Sequence, residues 1–150
     1  MTLLELVIAS TVTAVLLALA GPAWRSIVYE AKLVERRATV LSELQVARAF
    51  LVADAAAAGS PATCADGSVP SLPLGTVDGV PAVAEYRLRD GNLYRWAWPA
   101  DQEILVARGI ASMSCSAPAP GQLTVELTGG EALFPGRLIV QLTTAPESQS

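Results

Sequence analysis

From Leu3 to Ala20 every residue but one is apolar or small and weakly polar, and the exception is Glu5. A run of that length spans the roughly 30 Å hydrocarbon core of a bilayer as a helix. A carboxylate inside it costs about 2.5–3.5 kcal/mol on insertion scales and by default marks a functional position with a partner. Two ways of meeting that cost follow from the residues alone. Glu5 is carried protonated, or it pairs with a cation at the same depth. No Lys or Arg lies in the first 24 residues, so the available cation is an N-terminal amine, its own or that of a neighbouring copy.

Beyond Gly21-Pro22, a pair expected to weaken or kink the helix, the pattern resumes. Trp24, Ile27, Ala31, Val34, Ala38, Leu41, Leu44, Ala47, Leu51 and Ala55 follow one another at helical spacing, which predicts one apolar stripe. Gly59-Ser60-Pro61 reads as the stop, with Gly59 as the cap. The expected helix has roughly 55 residues and a length of about 80 Å. Trp24 reads as an interfacial aromatic or a knob in a helix bundle.

From Ser60 to Pro81 the composition shifts to Pro, Gly, Ser and Asp, which reads as a connecting loop with at most one short strand. The remainder reads as antiparallel sheet. Residues 84–89 and 94–98 alternate as a hairpin, and further strands are expected at 103–107, 111–116, 122–127 and 137–143. A three-residue turn, Asp90-Gly91-Asn92, would set Leu88 against Tyr94 and Tyr86 against Trp96. That register gathers Tyr86, Tyr94, Trp96 and Trp98 on one face, read as core against the helix rather than as a ligand platform. The tail from Ala145 to Ser150 reads as peripheral. The chain thus divides into a membrane or filament-core half-helix (1–24), an amphipathic half-helix (25–59) and a loop-and-sheet domain (60–150).

Composition narrows the chemistry. Of 150 residues none is His, and 14 acidic against 10 basic side chains leave a net charge of -4. The missing imidazole removes the commonest general base and metal ligand, and no nucleophile elbow, P-loop, GxGxxG or HExxH is present. The reading is not an enzyme, with no cofactor and no metal. Asp66, Asp78 and Asp90 each stand beside a Gly and read as turns, and Asp101 with Glu103 as a solvated rim. An acidic balance speaks against nucleic acid as a partner, although Arg87, Arg89, Arg95 and Arg108 would make a basic patch if they clustered. Cys64 and Cys115 have no CxxC spacing. Behind an exporting membrane segment they read as a disulfide, the alternative being two buried thiols.

Thr2-Leu3-Leu4-Glu5-Leu6-Val7-Ile8-Ala9, followed by Pro22 and a long amphipathic helix leading to a small sheet, resembles the mature N-terminus of type IV pilins and type II secretion pseudopilins. Residues 43–64, with Asp54, Gly59 and Cys64, and the stretches at 86–95 and 105–113 are more loosely similar to W-type minor pilins and J-type pseudopilins. In that group an Arg usually follows the Asp, where this chain has Ala55-Ala56. The resemblance implies a pilin-like α+β fold, with a long N-terminal helix kinked near Gly21-Pro22 and packed on a small antiparallel sheet. It implies a leader removed by a prepilin peptidase, which N-methylates Met1, where the family usually has Phe. It implies storage in the inner membrane with the C-terminal domain outside the cytoplasm. Assembly into a filament then follows on an inner-membrane platform, with Glu5 needed for subunit addition. Other copies and other pilins are the expected partners. A tip subunit that primes assembly, or a DNA-uptake or adhesive pilin, are the alternative roles.

Overall fold

The computed structural model describes residues 2–65, 69–130 and 135–144, and the side chains of Leu19 and Ala23 fall outside the description. Met1, Asp66 and the tail 145–150 therefore lie outside the described residues. A single helix, α1, runs from Leu3 to Ala57 and carries Pro22 within it rather than ending there. What proline costs at such a position is a backbone donor and a clash with the preceding turn. Eight strands follow: β1 (Thr63–Ala65), β2 (Val69–Val77), β3 (Val80–Arg89), β4 (Asn92–Trp98), β5 (Gln102–Arg108), β6 (Ile110–Ala119), β7 (Gln122–Gly129) and β8 (Gly136–Thr143). The first five form one antiparallel sheet in chain order and the last three form another. The architecture is the expected α+β one, but with two sheets in place of one.

The chain forms two compact units, Met1–Arg36 and Arg37–Ser150. The boundary falls inside the half-helix that the sequence pattern treats as one amphipathic piece, and burial explains why. The apolar stripe is covered only from its later turns, at Leu44, Ala47, Leu51 and Ala55, whereas Trp24, Ile27, Val34 and Leu41 are exposed. In the second unit these helix residues share one core with Leu72, Tyr86 and Leu93 of the larger sheet. Ile110, Leu123, Val125, Leu127, Val140 and Leu142 join it from the smaller one.

Three further expectations change. The helix stops at Ala57, two residues before Gly59, whose amide donates to the Pro73 carbonyl at 3.0 Å instead of capping the helix. The proposed loop over 60–81 holds β1, all of β2 and the first two residues of β3, which Pro70 and Pro73 had disguised; β1 pairs with β2, and β2 in turn with β3. The β3–β4 turn has two residues, not three. Arg89 faces Asn92 and Tyr86 faces Arg95. Asp90 and Gly91 both have positive φ, 50° and 72°, the conformation of a type I′ hairpin turn whose twist matches the strands. The one-residue difference in register moves Tyr94, Trp96 and Trp98 to the face opposite Tyr86. Tyr86 alone of the four is in the core; Tyr94 and Trp96 are half-buried and Trp98 is exposed.

Cys64 and Cys115 are bonded, with their Cα atoms 5.8 Å apart. The bridge joins β1 of the larger sheet to β6 of the smaller one.

Candidate functional site

The start of α1 satisfies two of its backbone N–H groups through its own side chains. The first backbone N–H groups of any helix lack an intrahelical acceptor. Here the Thr2 amide donates to Glu5 Oε2 at 2.8 Å, and the Glu5 amide points back to Thr2 Oγ1 at 3.4 Å. Thr2-Leu3-Leu4-Glu5 is a capping box: a hydroxyl residue and a carboxylate three positions on, each serving the other's backbone. The carboxylate also sits at the positive end of the helix dipole. The residues thus give Glu5 a partner beyond the two ways of meeting its cost weighed from the sequence, and the T-x-x-E spacing was the legible signal for it.

The hydroxyls further along follow the same rule. Ser10 Oγ donates to the Val7 carbonyl at 2.9 Å, Thr11 Oγ1 to those of Val7 and Ile8, and Thr13 Oγ1 to that of Ala9 at 2.8 Å. Polar side chains in an apolar setting are tolerated when they bond back to the i−3 or i−4 carbonyl in this way. The apolar side chains around them, among them Leu3, Leu6, Ile8, Val12, Val15 and Leu17, are open to solvent in the single chain. The segment is long and apolar enough to cross a membrane, with a mean hydropathy of 2.3 over its best 18 residues, none of that window being buried. It is a candidate membrane anchor, and its surface carries no charge except at the capped Glu5.

A second polar constellation lies inside the globular unit. Asp54, on the buried face of α1, accepts from the Tyr86 hydroxyl at 2.6 Å and from Arg95 through Nε at 2.6 Å and Nη2 at 2.8 Å. Tyr86 and Arg95 are directly opposed on β3 and β4, so the two-residue turn brings both to the inner face. Burial, then the bond to Asp54, holds the Tyr86 hydroxyl protonated well above its ordinary range, and the bond to Asp54 likewise raises Arg95. A carboxylate clamped bidentately by an arginine and bonded by a phenol has three of its about four acceptor sites taken. Its role is to fasten the helix to the sheet. Sequence reasoning had Asp54 only as part of a loose resemblance, and nothing in the helical pattern singled it out.

Three of the four arginines are paired with carboxylates, and they do not cluster as a basic patch. Arg95 turns inward, Arg87 pairs with Glu85 at 2.6 Å, and Arg89 pairs with Glu103. Asp101 accepts from the Trp96 indole N–H at 2.9 Å, so it is a ring-positioning residue rather than a free rim charge. Asp78 and Asp90 occupy left-handed turn positions. Among the described residues no group of three or more acidic or cysteine side chains is placed to hold a metal ion.

The chain matches no protein-family model, no curated protein and no solved structure.

Proposed function

We propose that this chain is a pilin-like structural subunit, stored in the inner membrane by residues 3–20 and polymerised through the same helix into a type IV pilus or a related filament. The carrying observation is Glu5: a carboxylate one turn into an otherwise uncharged helix surface that nothing covers in the single chain. A bilayer covers such a surface during storage, and the helices of other copies cover it in a filament. In the membrane the capping box keeps Glu5 satisfied, so insertion does not require a second subunit. On assembly the Glu5 carboxylate takes the N-terminal amine of a neighbouring copy, which fixes the axial register, while the apolar side chains form the filament core. Prepilin peptidase, an inner-membrane platform and other pilins are the partners this role requires, and it involves no catalysis.

Glu5→Ala tests the reading. It is expected to leave the protein in the membrane fraction at wild-type amount while sheared filaments fall at least about tenfold, the loss of a charge-assisted contact at every subunit junction. Wild-type filament yield from that variant would overturn the mechanism. Mass spectrometry of the N-terminal peptide from purified filaments is expected to find Met1 methylated.

A further inference from the structure

The solvent face of the five-stranded sheet carries a group of side chains that filament assembly through α1 does not use. Tyr94, Trp96 and Trp98 project from it on β4, next to Glu85, Arg87 and Arg89 of β3 and Glu103 of β5. Trp98 is 46% exposed. Its ring stacks against that of Trp96 with centroids 6.1 Å apart and planes 28° from parallel, so the two indoles form one offset stack with Trp98 at its exposed end. The neighbours hold it in place. Asp101 fixes the Trp96 N–H, the Arg87 guanidinium lies 4.9 Å over the Trp96 ring, and that of Arg89 lies 4.8 Å over the Tyr94 ring. Each arginine is in turn tied to a glutamate. A tryptophan nearly half exposed and fixed in orientation by a second indole offers a ligand an apolar surface that folding does not use.

Charge selects the ligand. Two arginines, two glutamates and Asp101 leave the face without a surplus of positive charge. Single-stranded nucleic acid stacks on aromatics of this kind but needs a cationic groove for its backbone, and an acidic polymer has the same need. A neutral sugar meets both halves of the face. Its C–H surface packs on an indole, and its hydroxyls find donors in the guanidinium groups and acceptors in the carboxylates at the rim, the mixture of apolar floor and few polar groups that small-ligand sites share. We propose that the outer face of the five-stranded sheet binds a neutral oligosaccharide, one ring stacked on Trp98 and the chain continuing along the polar rim of Arg87 and Glu103. The site is independent of α1 and does not depend on how, or whether, the chain polymerises.

The test uses the full chain carrying Trp24→Phe, so that emission comes from Trp96 and Trp98 alone, in a non-glycosidic detergent such as an alkyl amine oxide. Cellohexaose, chitohexaose and mannohexaose are titrated by calorimetry and by tryptophan emission. At least one is expected to bind saturably with a shift in emission, and with an affinity unchanged when salt is raised about tenfold, since no ion pair with the ligand is made. Trp98→Ala is expected to weaken that binding about tenfold or more and Trp98→Phe to restore part of it, with the thermal midpoint of each variant confirming the fold. The proposal is overturned if none of the three sugars binds. It is equally overturned if only oligo-dT or polygalacturonate binds, in a salt-dependent way. It also fails if the emission shift follows protein concentration instead, with Trp98→Ala abolishing self-association, which would assign the face to a second copy of the chain.

Discussion

Asp54 is a carboxylate on the inner face of a helix, and its two bonds to Arg95 and one to Tyr86 are what make that position tolerable. Removing one partner of a nearly buried ion pair leaves the other desolvated and unpaired, at a cost of about 3 kcal/mol. Asp54→Ala is therefore expected to lower the stability of the globular unit by that amount in urea denaturation. A change below about 0.5 kcal/mol would mean that water reaches Arg95 freely. The Tyr86 hydroxyl supplies a pH signature. Its folded-state pKa is raised above the ordinary value of about 10, so the native state holds this proton where the unfolded chain has lost it. The contribution is complete below pH 10 and declines as pH rises above it, by up to about 1.4 kcal/mol per pH unit while Tyr86 stays protonated in the fold. Denaturation midpoints measured between pH 8 and pH 11 are expected to bend downwards near pH 10, and Tyr86→Phe to remove that share of the bend. At this scale the sequence was least legible. Asp54 carries no periodic signal of its own, because its value depends on which face Arg95 takes, and one residue of register decides that. Glu5 is the opposite case, since its capping partner stands three residues away and is local by construction.

Elements were more legible than contacts. The long helix, the hairpin and the four later strands follow from period and punctuation, which are local properties of the chain. The failures share one cause. The 60–81 stretch holds strands because β3 offers β2 an edge to pair with, and the early part of the helical stripe stays exposed because the sheets meet α1 only from about Val40 onwards. Both are tertiary facts. Where helix and smaller sheet meet, two glycines decide the fit. A Cβ on Gly136 would lie 2.9 Å from both Leu44 Cδ1 and Val40 Cγ1, and one on Gly129 would lie 3.2 Å from the Gly109 carbonyl and 3.3 Å from Val40 Cγ1. Val40 is stiff at χ1 and Leu44 is buried, so neither swings aside freely. Gly136→Ala is expected to destabilise by about 1–2 kcal/mol through overpacking. Adding Val40→Ala should recover part of that loss, because the new methyl fills the space the valine leaves, and a double-mutant cycle measures the coupling. Strictly additive losses would place the strain elsewhere.

The two compact units are held to their structures by different means, and among the described residues only the second has a core of its own. Residues 37–150 bury a shared interior under α1, but β1 is three residues long, and β6 is an edge of its own sheet. An edge strand that short has little hydrogen bonding to keep it in place. What anchors it is the disulfide, since Cys64 is its central residue and Cys115 lies in β6, 51 residues later. The Thr144 hydroxyl, buried near the end of the described chain, holds the adjoining segment by accepting from the Ala62 amide at 3.1 Å, and the Thr144 amide donates to the Gly121 carbonyl at 2.8 Å. In the chain-entropy model a loop of that size stabilises the native state by about 4 kcal/mol when closed, a large part of the 5–15 kcal/mol that a domain typically has. Cys64→Ala with Cys115→Ala is expected to remove about that much and to lower the thermal midpoint by about 15 °C or more. Under reducing conditions the wild-type chain should fall to the level of the double variant, and the variant itself should not respond to reductant. The loss should stay local in kind: β1 amides are expected to exchange first, while those of β3, β4 and β7, paired on both sides, keep their protection. Uniform loss of protection across both sheets on reduction would mean that the bridge holds the whole interior together and not the one strand it anchors.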